Sequence, residues 1–226
     1  DDLHNFNILS TFINGTAQYE GGELTFSLAA SECINNFTDP YVSIDQIKVS
    51  THLSHPAVKV IELTDGELLT NSFLWHPSVH NGEIHTSQQL DIAKIVVINR
   101  YHPAPPSIGF VRGFGISKGA FGATIAHDSH NVIVVGTDDA SIFSVIDILF
   151  KQMGGIAAYA DGVFDVLPLP VGGLMSNERA SVVSDSYSRL NTFVSDHCKT
   201  KIQAPFMTLS FLSLLVIPSL KIGDKG

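Results

Sequence analysis

The densest group of chemically capable side chains in this sequence is a short polar segment between two apolar runs. It consists of His127, Asp128, Ser129, His130 and Asn131. Two imidazoles, a carboxylate, a hydroxyl and an amide can bind a metal ion, orient a water molecule or hydrogen-bond the edge of a heteroaromatic ring. Because apolar runs typical of strands flank the segment, we expect a rigid frame that points both imidazoles the same way.

The same segment also has a purely structural interpretation. Asp128 and Ser129 are typical turn residues that hydrogen-bond their own backbone, and histidines in a turn are ordinary surface groups. A His-x-x-His pair is a weak metal signal, because a metal site usually needs a further ligand from elsewhere in the chain. The spacing leaves both interpretations open.

A second candidate lies where the longest strand-like run ends. Arg100, Tyr101 and His102 follow the run 92–98. A cation, a phenol and an imidazole at a strand end can form the wall of a site in an α/β fold, and a polar strand cap is the alternative.

A glycine-rich turn over residues 167–176 leads into a predicted helix. Free N–H groups at such an entry could hold an anion. The phosphate-binding Lys-Ser/Thr pattern is absent. We therefore interpret this segment as a structural turn, and the apolar segment 205–212 as core or interface packing.

From about residue 56 onward, strand-like runs alternate with amphipathic helices. The predicted strands occupy 58–63, 92–98, 107–112, 120–126, 131–135, 156–160 and 163–167. Asp138 or Asp139 caps one predicted helix, which ends at Gly154-Gly155, and residues 176–178 open another. The pattern predicts an α/β (α+β) fold, with a mixed β-sheet and flanking helices.

The first part of the chain has a different pattern. Short alternating runs surround Asn14-Gly15, which is a strong hairpin signal. We expect a short β-hairpin in residues 1–30 that completes a small sheet formed elsewhere, a linker with one short helix over 31–55, and the main domain over 56–226. Both ends are expected to be cuts in a longer chain.

Composition argues against several classes of partner. The net charge is -9, which does not favour nucleic acid or an anionic membrane as a partner. The apolar segment 206–217 is too short to span a bilayer. Two cysteines far apart favour reduced thiols in a cytoplasmic protein over a disulfide framework.

Four segments in order carry a family resemblance. They are 109–116, 126–136, 167–176 and 205–211, and together they closely resemble the C-terminal domain of adenine deaminase, a member of the amidohydrolase superfamily. The resemblance covers roughly 56–222. The early hairpin resembles the end of the family's small β-rich domain.

The resemblance implies a larger enzyme that converts adenine and water to hypoxanthine and ammonia, using a pair of manganese or iron ions on a (β/α)₈ barrel. A barrel needs about 200 residues or more, so we expect the metal ligands and catalytic residues to lie outside this chain. The implied partners are adenine, the barrel and further copies in a homo-oligomer. The residues expected near substrate are His127, Asp128, Ser129, His130, Asn131, Arg100 and His102.

Two other hypotheses belong to different classes. One is a non-catalytic binding or assembly module derived from the same family. The other is a hydrolase that acts through His127, Asp128 and His130 themselves, and it predicts stoichiometric metal on these 226 residues.

Overall fold

In the computed structural model the chain forms two compact units, residues 1–32 and 33–226. The structure describes residues 2–27, 32–38 and 41–226. Residues 28–30 at the end of the predicted hairpin region, and positions 31, 39 and 40 of the predicted linker, lie outside the described residues. The domain boundaries drawn at residues 30 and 55 stay predictions.

The first unit is a three-stranded antiparallel sheet. Its strands are β1 (Ser10–Ile13), β2 (Thr16–Glu20) and β3 (Glu23–Leu24). Asn14 and Gly15 join the first two strands with φ of 51° and 75°. Positive φ at both central residues matches the twist of a two-residue hairpin, so the predicted hairpin is confirmed.

The second unit is built on an eight-stranded mixed sheet in the order β13-β12-β10-β11-β8-β9-β4-β5. Neighbouring strands are antiparallel except β4 and β9, which are parallel. A separate two-stranded ribbon pairs β6 with β7. The strands are β4 (Val58–Leu63), β5 (Thr70–Trp75), β6 (Val79–His80), β7 (Glu83–Ile84), β8 (Ile92–Ile98), β9 (Ser107–Arg112), β10 (Ala120–Ala123), β11 (Val132–Gly136), β12 (Gly155–Ala160) and β13 (Val163–Pro168).

Helices cover both faces of this sheet. They are α1 (Asp139–Lys151), α2 (Ala180–Phe193), which continues as a π turn (Val194–Cys198), and α3 (Pro205–Phe211), and a 3₁₀ turn (Ile44–Ile47) lies in the former linker region. Side chains of β8 are buried at every position and alternate between the faces. Val97 packs in the core that includes α2 and α3, and Val96 in the core that includes α1. The predicted α/β (α+β) class is confirmed.

The helix α1 begins and ends as its sequence predicts. The Asp138 carboxylate accepts a hydrogen bond from the Ser141 N–H at 2.8 Å, which caps the first turn. After the last turn, Gly154 adopts a φ of 121°. An added Cβ there would lie 2.4 Å from the Gly173 Cα, so the position requires glycine.

Other expectations need correction. Helix α2 begins at Ala180, not at 176–178, because the Ser176 hydroxyl accepts the Glu178 N–H in a local turn that competes with the helix. Strand β10 ends at Ala123, not at residue 126, because the chain turns toward α3.

Strands β5, β6 and β7 and helix α3 were not predicted from the sequence. Strand β5 lies at the sheet edge, and its residues do not alternate between apolar and polar. Helix α3 starts with Pro205 in its first turn, where proline is tolerated because that N–H has no helical partner. Phe206 and Leu209 on α3 are buried, so the expected core packing of this segment holds.

Candidate functional site

The polar segment 127–131 is a tight loop between β10 and β11. The His130 N–H donates to the Ala126 carbonyl at 2.6 Å and closes the loop. His130 has a φ of 53°, a left-handed conformation that histidine adopts more readily than most residues with a side chain. The His127 N–H donates to the Ser210 carbonyl on α3 at 3.1 Å. Both the sheet and α3 therefore fix the loop.

The loop brings the two predicted imidazoles together. The ring centroids of His127 and His130 are 5.7 Å apart, and His127 stacks on Phe211 of α3 at 4.8 Å. Both histidines are half-buried, Asp128 and Ser129 are exposed, and Asn131 is buried. The loop thus combines an exposed polar tip with a semi-buried imidazole pair.

Arg100 lies directly behind this loop and is only 2% exposed. Its Nε donates to the His130 carbonyl at 2.6 Å and its Nη2 to the Gly172 carbonyl at 2.8 Å. The guanidinium also lies 5.2 Å from the ring centroid of Phe37 and 4.7 Å from that of Tyr101. Within the described ranges no carboxylate forms an ion pair with it.

A buried guanidinium keeps its charge, so its hydrogen bonds must replace those it would make with water. The two carbonyls and two aromatic rings do so for Arg100. This side chain therefore ties the 127–131 loop to the glycine-rich turn at residue 172.

The glycine-rich turn is shaped to receive Arg100. Gly173 has a φ of 70°, and an added Cβ would lie 2.5 Å from the Arg100 Nη1. The Thr124 hydroxyl donates to the Gly173 carbonyl at 2.5 Å, and the Gly155 N–H donates to the same hydroxyl at 2.9 Å. The Gly172 N–H donates to the Ile34 carbonyl at 2.7 Å and is not free for an anion. These contacts fit the structural interpretation of the turn.

The residues next to Arg100 are fixed mainly by Asn99. Its Oδ1 accepts from the N–H groups of Tyr101 at 2.9 Å and His102 at 3.1 Å, and its Nδ2 donates to Asp224 at 2.8 Å. The Tyr101 hydroxyl donates to the Ser129 carbonyl at 2.8 Å, which adds a second link to the loop. The side chain of His102 is 3.4 Å from Asn99, and no described hydrogen bond joins it to the loop. Arg100 is thus brought to the predicted site, whereas His102 stays beside it.

Burial favours the neutral form of the His130 imidazole. Its pKa is lowered by desolvation first, and then by the neighbouring His127 and Arg100. Its Nδ1 and the Oδ1 of Asn131 are buried without a hydrogen-bond partner in the part of the chain that the structure describes. The loop therefore leaves two polar atoms buried and unpaired among the described residues.

The loop does not form a metal centre by itself. Among residues 2–27, 32–38 and 41–226 there is no group of three or more His, Cys, Asp or Glu side chains placed to hold a metal ion. The donors therefore do not fit a pair of hydrolytic metals, and no reaction step through a metal is assigned to them.

Sequence reasoning missed several residues that build the site. Phe37, Thr124 and Phe211 contact Arg100, the glycine turn and His127, respectively. Thr124 carries the one available signal, because it is a polar residue directly after an apolar strand. Phe37 and Phe211 lie far from the site in sequence, so only the tertiary fold identifies them.

Comparison with known proteins decides the family. A family model described as "Adenine deaminase C-terminal domain" matches residues 67–226, most of the chain. The chain belongs to this family. The predicted resemblance is therefore confirmed, and the adenine deaminase C-terminal domain accounts for β5 to β13, the helices α1 to α3 and the 127–131 loop.

Curated relatives extend the similarity over the whole chain. An adenine deaminase of Methanosarcina mazei is 42% identical over 237 aligned residues, which cover 100% of this chain and 42% of the relative. Adenine deaminases of Salinibacter ruber and Borreliella afzelii are 38% and 37% identical, over 100% of this chain and 41% of each relative. The chain thus spans about two fifths of the length of the curated relatives it matches.

No helix in the described parts of the chain has the length and apolar character needed to cross a membrane.

Proposed function

We propose that these residues are the C-terminal portion of an adenine deaminase, a cytoplasmic enzyme of purine metabolism that hydrolyses adenine to hypoxanthine and ammonia. In that reaction the oxygen of water replaces the exocyclic amino group on the purine ring, and the amino nitrogen leaves as ammonia. The observation that carries the proposal is the similarity to proteins named adenine deaminase along 100% of this chain.

The catalytic centre is proposed to lie on a (β/α)₈ barrel outside these residues and to use a pair of manganese or iron ions. Its support is the family resemblance together with length. More than half of each matched relative lies outside the aligned region, and a barrel needs about 200 residues or more. Such metals activate water for attack on the purine.

The 127–131 loop is proposed to face that catalytic centre and to help bind or enclose adenine. The chemical support is the half-buried imidazole pair of His127 and His130 beside the exposed Asp128 and Ser129, because a purine edge offers both donors and acceptors. The electrostatic support is the lowered pKa of His130, because a shift in that direction favours the neutral imidazole beside a neutral base. In this proposal Arg100 holds the loop, and Asp128 and Ser129 form its exposed tip. His102 remains a candidate only because it follows β8 in the chain, close to Arg100.

The test uses the full-length protein supplied with manganese. His127→Ala and His130→Ala should each raise the KM for adenine, with the exposed His80→Ala as the matched control. Unchanged kinetics and metal content in both loop variants would refute the role of the loop. A full-length wild-type protein that does not deaminate adenine would refute the proposed activity itself.

The isolated 226-residue polypeptide separates this proposal from a hydrolase built on the loop. We expect neither hypoxanthine formation nor stoichiometric metal on it. Hypoxanthine formation by the isolated polypeptide, or stoichiometric metal on it, would instead support a catalytic role for His127, Asp128 and His130. The homo-oligomeric state is proposed from the resemblance and is measured by light scattering of the full-length protein.

A further inference from the structure

A recess opens beside α3, on the same face of the sheet as α2. It has a volume of about 240 Å³. Its walls are the turn 65–68 after β4, the residues 203 and 204 before α3, and Met207, Thr208 and Phe211 on α3 itself. We call this surface the α3 recess.

The α3 recess exposes apolar side chains that a surface seldom leaves uncovered. Met207 is 56% exposed and Leu68 is 46% exposed. In the turn that follows α3, Leu215 and Val216 are 65% and 78% exposed. Leu68 and Met207 line the same recess, and exposed apolar side chains that share a recess are typical of an interaction surface.

The recess is held in shape without a partner. The Thr70 hydroxyl donates to the Leu220 carbonyl at 2.6 Å, and the Lys221 Nζ donates to the Leu68 carbonyl at 2.7 Å. The Asp65 carboxylate accepts the Gln203 N–H at 3.3 Å. These bonds join the turn after β4 to the segments on either side of α3, so a partner would meet a preformed surface.

The α3 recess is continuous with the candidate site. Phe211 lines the recess and stacks on His127 of the loop at 4.8 Å. The Ser210 carbonyl accepts the His127 N–H at 3.1 Å. A body seated in the recess therefore touches the helix that positions the loop.

We propose that the α3 recess is the surface on which the catalytic part of the full-length protein docks. The inference rests on the proposed function and names the partner surface for it. More than half of each matched relative lies outside the aligned region, so a large body of the same polypeptide is available as the occupant. Asp65 and Glu67 form an acidic rim. The occupant therefore presents an apolar contact to Leu68 and Met207, with polar groups that meet Asp65, Glu67 and Lys221 at the edge.

The experiment is photo-cross-linking in the full-length protein. Met207→p-benzoylphenylalanine places the reactive group in the recess. Met153→p-benzoylphenylalanine is the matched control, because Met153 is equally exposed at 55% but follows α1 on the opposite face of the sheet. Irradiation of the position-207 protein should give an intrachain cross-link to a peptide that precedes residue 1. Position 153 should give at least tenfold less of that product.

The other outcomes contradict the inference. A cross-link from position 207 to a second copy alone would make the recess an oligomer interface, and no cross-link at all would leave it unoccupied. Adenine turnover by the unmodified full-length protein is measured in the same preparation. Its absence refutes the proposed function, whereas turnover without the intrachain cross-link refutes only the docking surface.

Discussion

Arg100→Met tests whether the buried guanidinium holds the candidate site together. Methionine has a similar length and no charge, so it fills much of the space and removes the hydrogen bonds to the His130 and Gly172 carbonyls. Arg189→Met is the matched control. Its guanidinium pairs with Asp165, but its side chain is 57% exposed.

The expected magnitude follows from these contacts. A hydrogen bond from a charged donor contributes about 1.5–3 kcal/mol, and Arg100 makes two. The aromatic contacts with Phe37 and Tyr101 add roughly 0.5–2 kcal/mol. Release of a buried charge offsets several kcal/mol of this sum. We expect Arg100→Met to lower the free energy of unfolding by about 3 kcal/mol, and Arg189→Met by less than about 1 kcal/mol.

The assay is urea denaturation followed by the fluorescence of Trp75, the single tryptophan, which is 6% exposed in β5. Arg100→Lys should give an intermediate loss, because an ammonium group cannot reproduce the fork of two N–H donors. If the unfolding midpoint of Arg100→Met is no lower than that of Arg189→Met, the reasoning about the buried cation is wrong.

Two further predictions concern titratable groups. The pKa of His130 is lowered on folding by burial, so its contribution to stability is complete above the unfolded value near 6.5 and is lost as the pH falls below it. His130→Gln should therefore reduce the loss of unfolding free energy between pH 7.5 and 5.5, measured against His80→Gln, and an unchanged pH dependence would contradict the assignment. Burial raises the pKa of Cys198 to about 12, so a thiol reagent at pH 8 should label only the exposed Cys33 until denaturant is added. Rapid labelling of folded Cys33→Ser would show that Cys198 is accessible.

The sequence predicted the elements whose signals are local. The apolar run 92–98 became the buried strand β8, because seven consecutive apolar or buried positions fit a strand covered on both faces. Asp138 and Gly154 delimited α1 through capping and left-handed geometry. The edge strand β5 was missed because its sequence, three polar residues followed by three apolar ones, lacks the alternation on which strand prediction depends.

The candidate loop was also visible in the sequence, since its five polar residues separate two apolar runs. The residues that hold the loop in place were not visible in the sequence. The interpretation of 167–176 as a structural turn gave no indication that Gly173 leaves room for Arg100. The second predicted candidate combined Arg100 with His102, but the structure separates the two side chains. Arg100 donates to the His130 carbonyl, whereas Asn99 holds the backbone of His102 away from the loop.

The sequence by itself therefore determined the fold class, the family and the polar loop, because periodicity, capping residues and motif order are properties of neighbouring positions. Only the tertiary structure decided that Arg100 is buried, that burial lowers the pKa of His130 and that Phe211 joins the loop to the α3 recess. Those facts depend on which distant segments exclude water from the same place, and Arg100, Gly173 and Phe211 meet there only after the sheet and its helices have packed.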